Sequence, residues 1–133
     1  TPQQEKVAAY FNHDNNGYDI RGIFLVGHEA IRPIFEAYLA PFADIGASTV
    51  TIENAGGTDI LVFDALGIPS FEWIHDPKNY FSHQLHTNID TVDLIDFDSV
   101  RRNTAIIAST VLQTAMRTEK LPRRLPAAEF EGR

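Results

Sequence analysis

Between residues 6 and 118 the chain alternates short apolar runs suited to strands with stretches whose apolar residues recur every three or four positions. Such alternation forces a layered arrangement. Parallel neighbours cannot be joined by a tight turn, so helices must cross over between them and cover the sheet. The predicted class is α/β, a layered sheet with parallel strands flanked by helices.

The run KVAAYFNHD, residues 6–14, reads as a strand buried on both faces. Asn15, Asn16 and Gly17 then turn the chain. IRGIFLVG, residues 20–27, is a second strand. A helix follows with Pro33 in its first turn and Ile31, Phe35, Tyr38, Phe42 and Ile45 as one apolar stripe. Pro41 should interrupt that helix near its end and Gly46 close it. STVTIEN (48–54) is a third strand, 58–67 a short helix and IPSFEWI (68–74) a fourth strand. After a polar loop over 76–91 comes the longest helix, 97–118, with Val100, Thr104, Ile107, Val111 and Ala115 on one face. Asp96 or Asp98 can cap its start, Arg117 and Lys120 suit its end, and Pro122 stops it. The expected organisation is one α/β domain over 1–121 and an irregular tail over 122–133.

Charge and composition remove several classes of function. Eleven Lys and Arg against 18 Asp and Glu give a formal charge of −7, which would repel a phosphate backbone, so nucleic acid is not an expected partner. No apolar run approaches the roughly 20 residues of a membrane span, so no membrane partner is expected either. The chain contains no cysteine, which excludes disulfides, thiol catalysis and sulfur-ligated zinc and leaves His, Asp and Glu as metal ligands. Ser70 and Ser82 lack a nucleophile elbow, and Gly56-Gly57 lacks the context of a phosphate loop. The chain begins with Thr1 rather than Met and reads as processed, truncated or cut from something larger.

Ligands in sheets of this class collect at the carboxyl ends of strands. Asp14 closes the first strand, and the loop carrying His86 leaves the end of the fourth. If those strands are parallel, both side chains occupy one rim, and a carboxylate with an imidazole is a zinc-ligand pair. Taken by spacing alone, Asp14 reads equally as an Asx turn with Asn15 and Asn16, and His86 as a capped loop residue. Asp90 could take the second N–H of a metal-bound His86, or bond only its own turn. His13 points to the other side of its strand from Asp14, and His28 and His75 read as polar residues at element ends.

The words AYFNHDN (9–15), RGIFLVGHEAIRPIFEAYLAPF (21–42), NAGGTD (54–59), FDALGIPSF (63–71), HTNIDT (86–91) and EKLPRR (119–124), in this order, carry a family resemblance. The chain resembles the co-catalytic di-zinc exopeptidases, which include bacterial leucyl-type aminopeptidases and carboxypeptidase Q. The resemblance implies that Asp14 of the N-x-D-N word ligates one zinc and His86 of H-T-x-x-D-T the other, while His83 falls outside the motif. Tyr80, in the matching loop, becomes a candidate for the substrate side, with a buried or capping tyrosine as its plainer reading. In complete relatives two zinc ions activate a shared water and polarise the scissile carbonyl, and a Glu takes the proton.

The family's earlier His, bridging Asp, ligand Glu and general-base Glu all precede the N-x-D-N word, which here begins at Asn12. The resemblance therefore implies the carboxyl-terminal portion of a zinc-exopeptidase-like fold, with a peptide substrate for the intact parent and no catalytic base in this chain. Two positions depart from common relatives: Ile60 after the Thr-Asp of NAGGTD, and Leu85 before HTNIDT. Relatives are commonly exported, which suggests a secreted or periplasmic parent. The competing expectation is a non-catalytic α/β module that pairs with its own copies through exposed sheet surface.

Overall fold

A computed structural model describes residues 1–14, 17–54, 56 and 58–123. The predicted turn at Asn15-Asn16, the Asx alternative for Asp14, Gly57 and the tail beyond Arg123 lie outside the described residues. Four strands form one sheet: β1 (Tyr10–Asn12), β2 (Ile20–Phe24), β3 (Thr49–Thr51) and β4 (Ser70–His75), in the order β1-β4-β2-β3. β1 runs parallel to β4 and β2 parallel to β3, while β2 and β4 are antiparallel. The α/β class holds, with a mixed rather than purely parallel sheet.

The strand expected over 6–14 shrinks to three residues on the sheet edge, and a helix α1 (Pro2–Lys6) precedes it. The cause is local. Thr1 accepts from the Gln4 N–H while the Gln4 side chain reaches back to the Thr1 amine, a capping box with Pro2 pre-set for the first turn. The stripe from Ile31 to Ile45 also divides. Its α-helical part, α2 (Arg32–Leu39), ends where Pro41 removes an N–H, and a 3₁₀ turn over Ala40–Ile45 runs to Gly46 at φ 87°.

Register assigns the two faces. Phe11, Phe71 and Trp73 point towards α2, where Phe35 packs on Phe71 with ring centroids 4.6 Å apart. With Ile20, Ile23, Leu25, Leu39 and Ile106 they form the core, each fully buried apolar side chain contributing about 1.5–3 kcal/mol. Tyr10, Asn12 and Glu72 point to the other face, covered by α3 (Ile60–Ala65), where Tyr10 stacks on Phe63 at 3.9 Å.

The longest helix, α4 (Phe97–Ala115), starts at Asp96, whose carboxylate accepts from the N–H groups of Asp98 and Ser99. It buries Ser99, Asn103, Ile106, Thr110 and Thr114, while Val100, Val111, Leu112 and Met116 face outwards. Asn103 explains this orientation: it accepts from the Ile20 N–H at 2.8 Å and donates to the Tyr18 carbonyl at 2.7 Å, docking the helix on the entry to β2. Among the described residues no helix is long and apolar enough to cross a membrane.

Candidate metal-binding rim

The parallel pairing of β1 and β4 brings their carboxyl ends to one rim. Asp14 follows β1 by two residues and is exposed. Its backbone N–H donates to Glu72 Oε1 at 3.4 Å, which fixes the chain where it leaves the sheet. Beyond β4 the loop folds into a π-helical turn over Tyr80–Gln84. Gln84 is buried and donates to the Tyr18 hydroxyl at 2.9 Å, so the turn is anchored to the segment preceding β2.

His86 leaves that turn exposed and with φ 59°, a left-handed backbone that His tolerates better than most side chains. Hydrogen bonds hold it on both sides: the Leu85 N–H to the Tyr80 carbonyl at 2.9 Å, and the Thr87 N–H to the Gln84 carbonyl at 3.0 Å. The Thr87 hydroxyl adds bonds to the carbonyls of His83 and Gln84. His83 instead bonds its neighbour Ser82 at 2.6 Å.

Tyr80 is buried, and burial, followed by the charges of Asp14 and Asp90, pushes its phenol upwards, so it stays a hydrogen-bond donor at neutral pH. Asp90 itself is exposed, with its N–H on the Thr87 carbonyl at 3.4 Å. Asp14 and His86 are ligand types suited to zinc, but two donors are too few for a tetrahedral shell. Among the described residues no group of three or more His, Cys, Asp or Glu side chains could hold a metal ion.

Sequence reasoning missed Glu72. It is fully buried in β4, accepts from Asn12 Nδ2 at 2.6 Å and lies behind Asp14, while the Tyr10 hydroxyl donates to Asn12 Oδ1 at 3.1 Å. Burial raises its carboxyl above the ordinary glutamate range, with the bonds from Asn12 and Asp14 opposing. The available signal was a lone acid inside IPSFEWI, between Phe71 and Trp73 and so turned to the opposite face.

The remaining histidines serve the frame. His28, buried, meets Asp64 Oδ1 at 3.2 Å, and His75 Nδ1 meets the Tyr18 carbonyl at 2.9 Å. His13 lies beside His75, ring centroids 5.1 Å apart, on the face away from Glu72; burial lowers the pKa of both rings.

Residues 1–111 match Peptidase family M28. The chain is also similar to the crystal structure of a peptidase M28 precursor from Shewanella amazonensis SB2B, at 23% identity and a TM-score of 0.71 over 87% of this chain. It spans 27% of the length of that protein. No curated protein matches the chain.

Proposed function

The chain belongs to peptidase family M28, and from that premise we propose that it forms part of a zinc-dependent exopeptidase hydrolysing a terminal peptide bond with a metal-activated water. In this reading Asp14 ligates one zinc and His86 the other. Asp90 accepts the second imidazole N–H of His86 and fixes its tautomer. Tyr80, held protonated, donates to a substrate oxygen from the same rim.

The observation that supports the reading is the parallel pairing of β1 and β4, whose carboxyl ends point the same way, with Asp14 two residues after β1 and His86 following the anchored Tyr80–Gln84 turn after β4. One donor for each ion cannot hold two zincs, and among the described residues no group of three or more His, Cys, Asp or Glu side chains could complete a shell. Residues 1–133 alone therefore bind zinc weakly and do not turn over substrate.

Two measurements test this. Paramagnetic Co²⁺ titrated into the labelled chain should broaden the resonances of His86 and Asp14 before that of His83; preferential loss of His83 would overturn the ligand assignment. Assays on a leucine anilide and on dipeptides with added zinc, with metal content measured in parallel, should show no turnover. Robust hydrolysis tied to stoichiometric zinc would instead make the chain a complete site.

A further inference from the structure

The backbone pairing of β1 with β4 ends at Asn12, which lies directly opposite Glu72. Asp14 stands two residues further on, past the last rung of the sheet. Its N–H is held there by a side chain rather than by a strand, at 3.4 Å from Glu72 Oε1. Glu72 is fully buried, so the acceptor is itself fixed. The direction of the neighbouring bonds defines what Glu72 must present. The Tyr10 hydroxyl, on a ring stacked against Phe63, donates to Asn12 Oδ1, which turns Asn12 Nδ2 towards Glu72 Oε2 at 2.6 Å. Both Glu72 oxygens are therefore in use as acceptors, one for Asn12 and one for Asp14.

We propose that Glu72 is a positioning residue for Asp14: its buried carboxyl group replaces the missing ladder beyond Asn12 and sets where the Asp14 side chain meets a divalent metal, without being a ligand itself. The inference rests on the role of Asp14 as a metal ligand proposed above. Groups that orient a ligand from behind change metal affinity by about 10–100-fold when removed. Glu72 acts through the backbone of the ligand and over a long bond, which places the expected change at the lower end, about tenfold. Two substitutions isolate this role. Glu72→Gln has a single acceptor oxygen, which the shorter bond to Asn12 takes, and its NH₂ group then faces the Asp14 N–H, donor against donor. Glu72→Asp keeps the charge but withdraws both oxygens by one methylene, which breaks the longer bond first.

The test is a Co²⁺ titration of the labelled 133-residue chain and of both variants, read as the paramagnetic broadening of Asp14 and of His86 separately. In each variant the Co²⁺ concentration that half-broadens Asp14 should rise about tenfold while the midpoint for His86 stays unchanged. Amide exchange at Asp14 should become at least about threefold faster, because its N–H has lost a buried acceptor. Equal Asp14 midpoints in the unmodified chain and in Glu72→Gln overturn the proposal. A shift shared by His86 does the same, since it marks a change in the whole fold. So does a shift at Asp14 without faster exchange of its amide, which marks the loss of a nearby charge rather than of position. An unmodified chain in which Co²⁺ leaves Asp14 sharp and broadens another residue removes the ligand assignment itself, and the role of Glu72 falls with it.

Discussion

At the scale of single residues, two networks fix the rim. Glu72 is the acceptor on which Asn12 and the Asp14 N–H converge in a buried setting. Removing it leaves buried donors unpaired, the expensive half of a hydrogen-bond deletion. Glu72→Ala should cost about 2–3 kcal/mol in urea unfolding at pH 7, and Glu72→Gln, which keeps an oxygen for Asn12, less than about 1 kcal/mol. The second network is Arg21, which donates to Asp76 at 3.0 Å and to the Ile45 carbonyl at 3.2 Å and lies 3.6 Å from Asp19. The Arg21 bond holds the Asp76 carboxyl below its ordinary value of 3.8. For Asp19, burial pushes upwards, but the bonds from Arg102 and Ser99 outweigh it. A depressed acid contributes stability that is present above its unfolded value and lost as pH falls through the folded one. Arg21→Met should therefore lose about 1 kcal/mol at pH 7, a figure discounted for partial exposure, and that difference should shrink as pH falls below the ordinary value of 3.8 and through the depressed folded value of Asp76 when unfolding is followed by fluorescence.

At the scale of elements, the pattern of strands and helices was legible wherever local chemistry decides it. Asp96 caps α4 and Gly46 closes the 3₁₀ turn because each solves a chain-end problem that neighbouring residues alone define. Asp96→Ala should cost about 1 kcal/mol in thermal or urea unfolding. Gly22 depends on a distant partner: a Cβ there would stand 1.9 Å from the Thr49 carbonyl oxygen, inside the β2–β3 pairing. Gly22→Ala must part those strands, and a loss of about 3 kcal/mol or more, or failure to fold, is expected by circular dichroism. What could not be read was also nonlocal. Apolar spacing along α4 does not mark its docked side: the helix buries Ser99, Asn103, Ile106, Thr110 and Thr114, and Asn103 alone supplies the polar partners of the Ile20 N–H and the Tyr18 carbonyl. Glu72 was hidden for the same reason, since the donors it accepts from, Asn12 and the Asp14 N–H, lie 60 and 58 positions away in the chain. Asp14 and His86 stood out through the words around them, whereas the anchoring of the His86 turn by Gln84 on Tyr18 required the fold.

At the scale of the whole molecule, the described end of the chain acts as a strap over its beginning. Leu121 is 2% exposed and belongs to the core cluster, Lys120 donates to the Glu5 carbonyl, and Arg123 donates to the carbonyls of Gln4, Val7 and Gly67. α1 has no buried residue of its own, so five residues of helix rest on the Thr1 cap and on this strap. A helix that short is marginal in water without tertiary support. Two substitutions separate the contributions. Leu121→Ala removes core packing and should lower global stability by about 2–4 kcal/mol. Arg123→Ala removes only charged bonds to exposed carbonyls, so global stability should fall by less than about 1 kcal/mol while amide exchange over residues 2–7 accelerates at least about tenfold. Because β1 begins only three residues after α1 and leads directly to Asp14, the faster exchange should stop at Tyr10, whose N–H is held by the Pro69 carbonyl at 2.8 Å. Exchange that spread through β1 would instead make the strap part of the support of the rim, and Arg123 a residue on which the position of Asp14 depends.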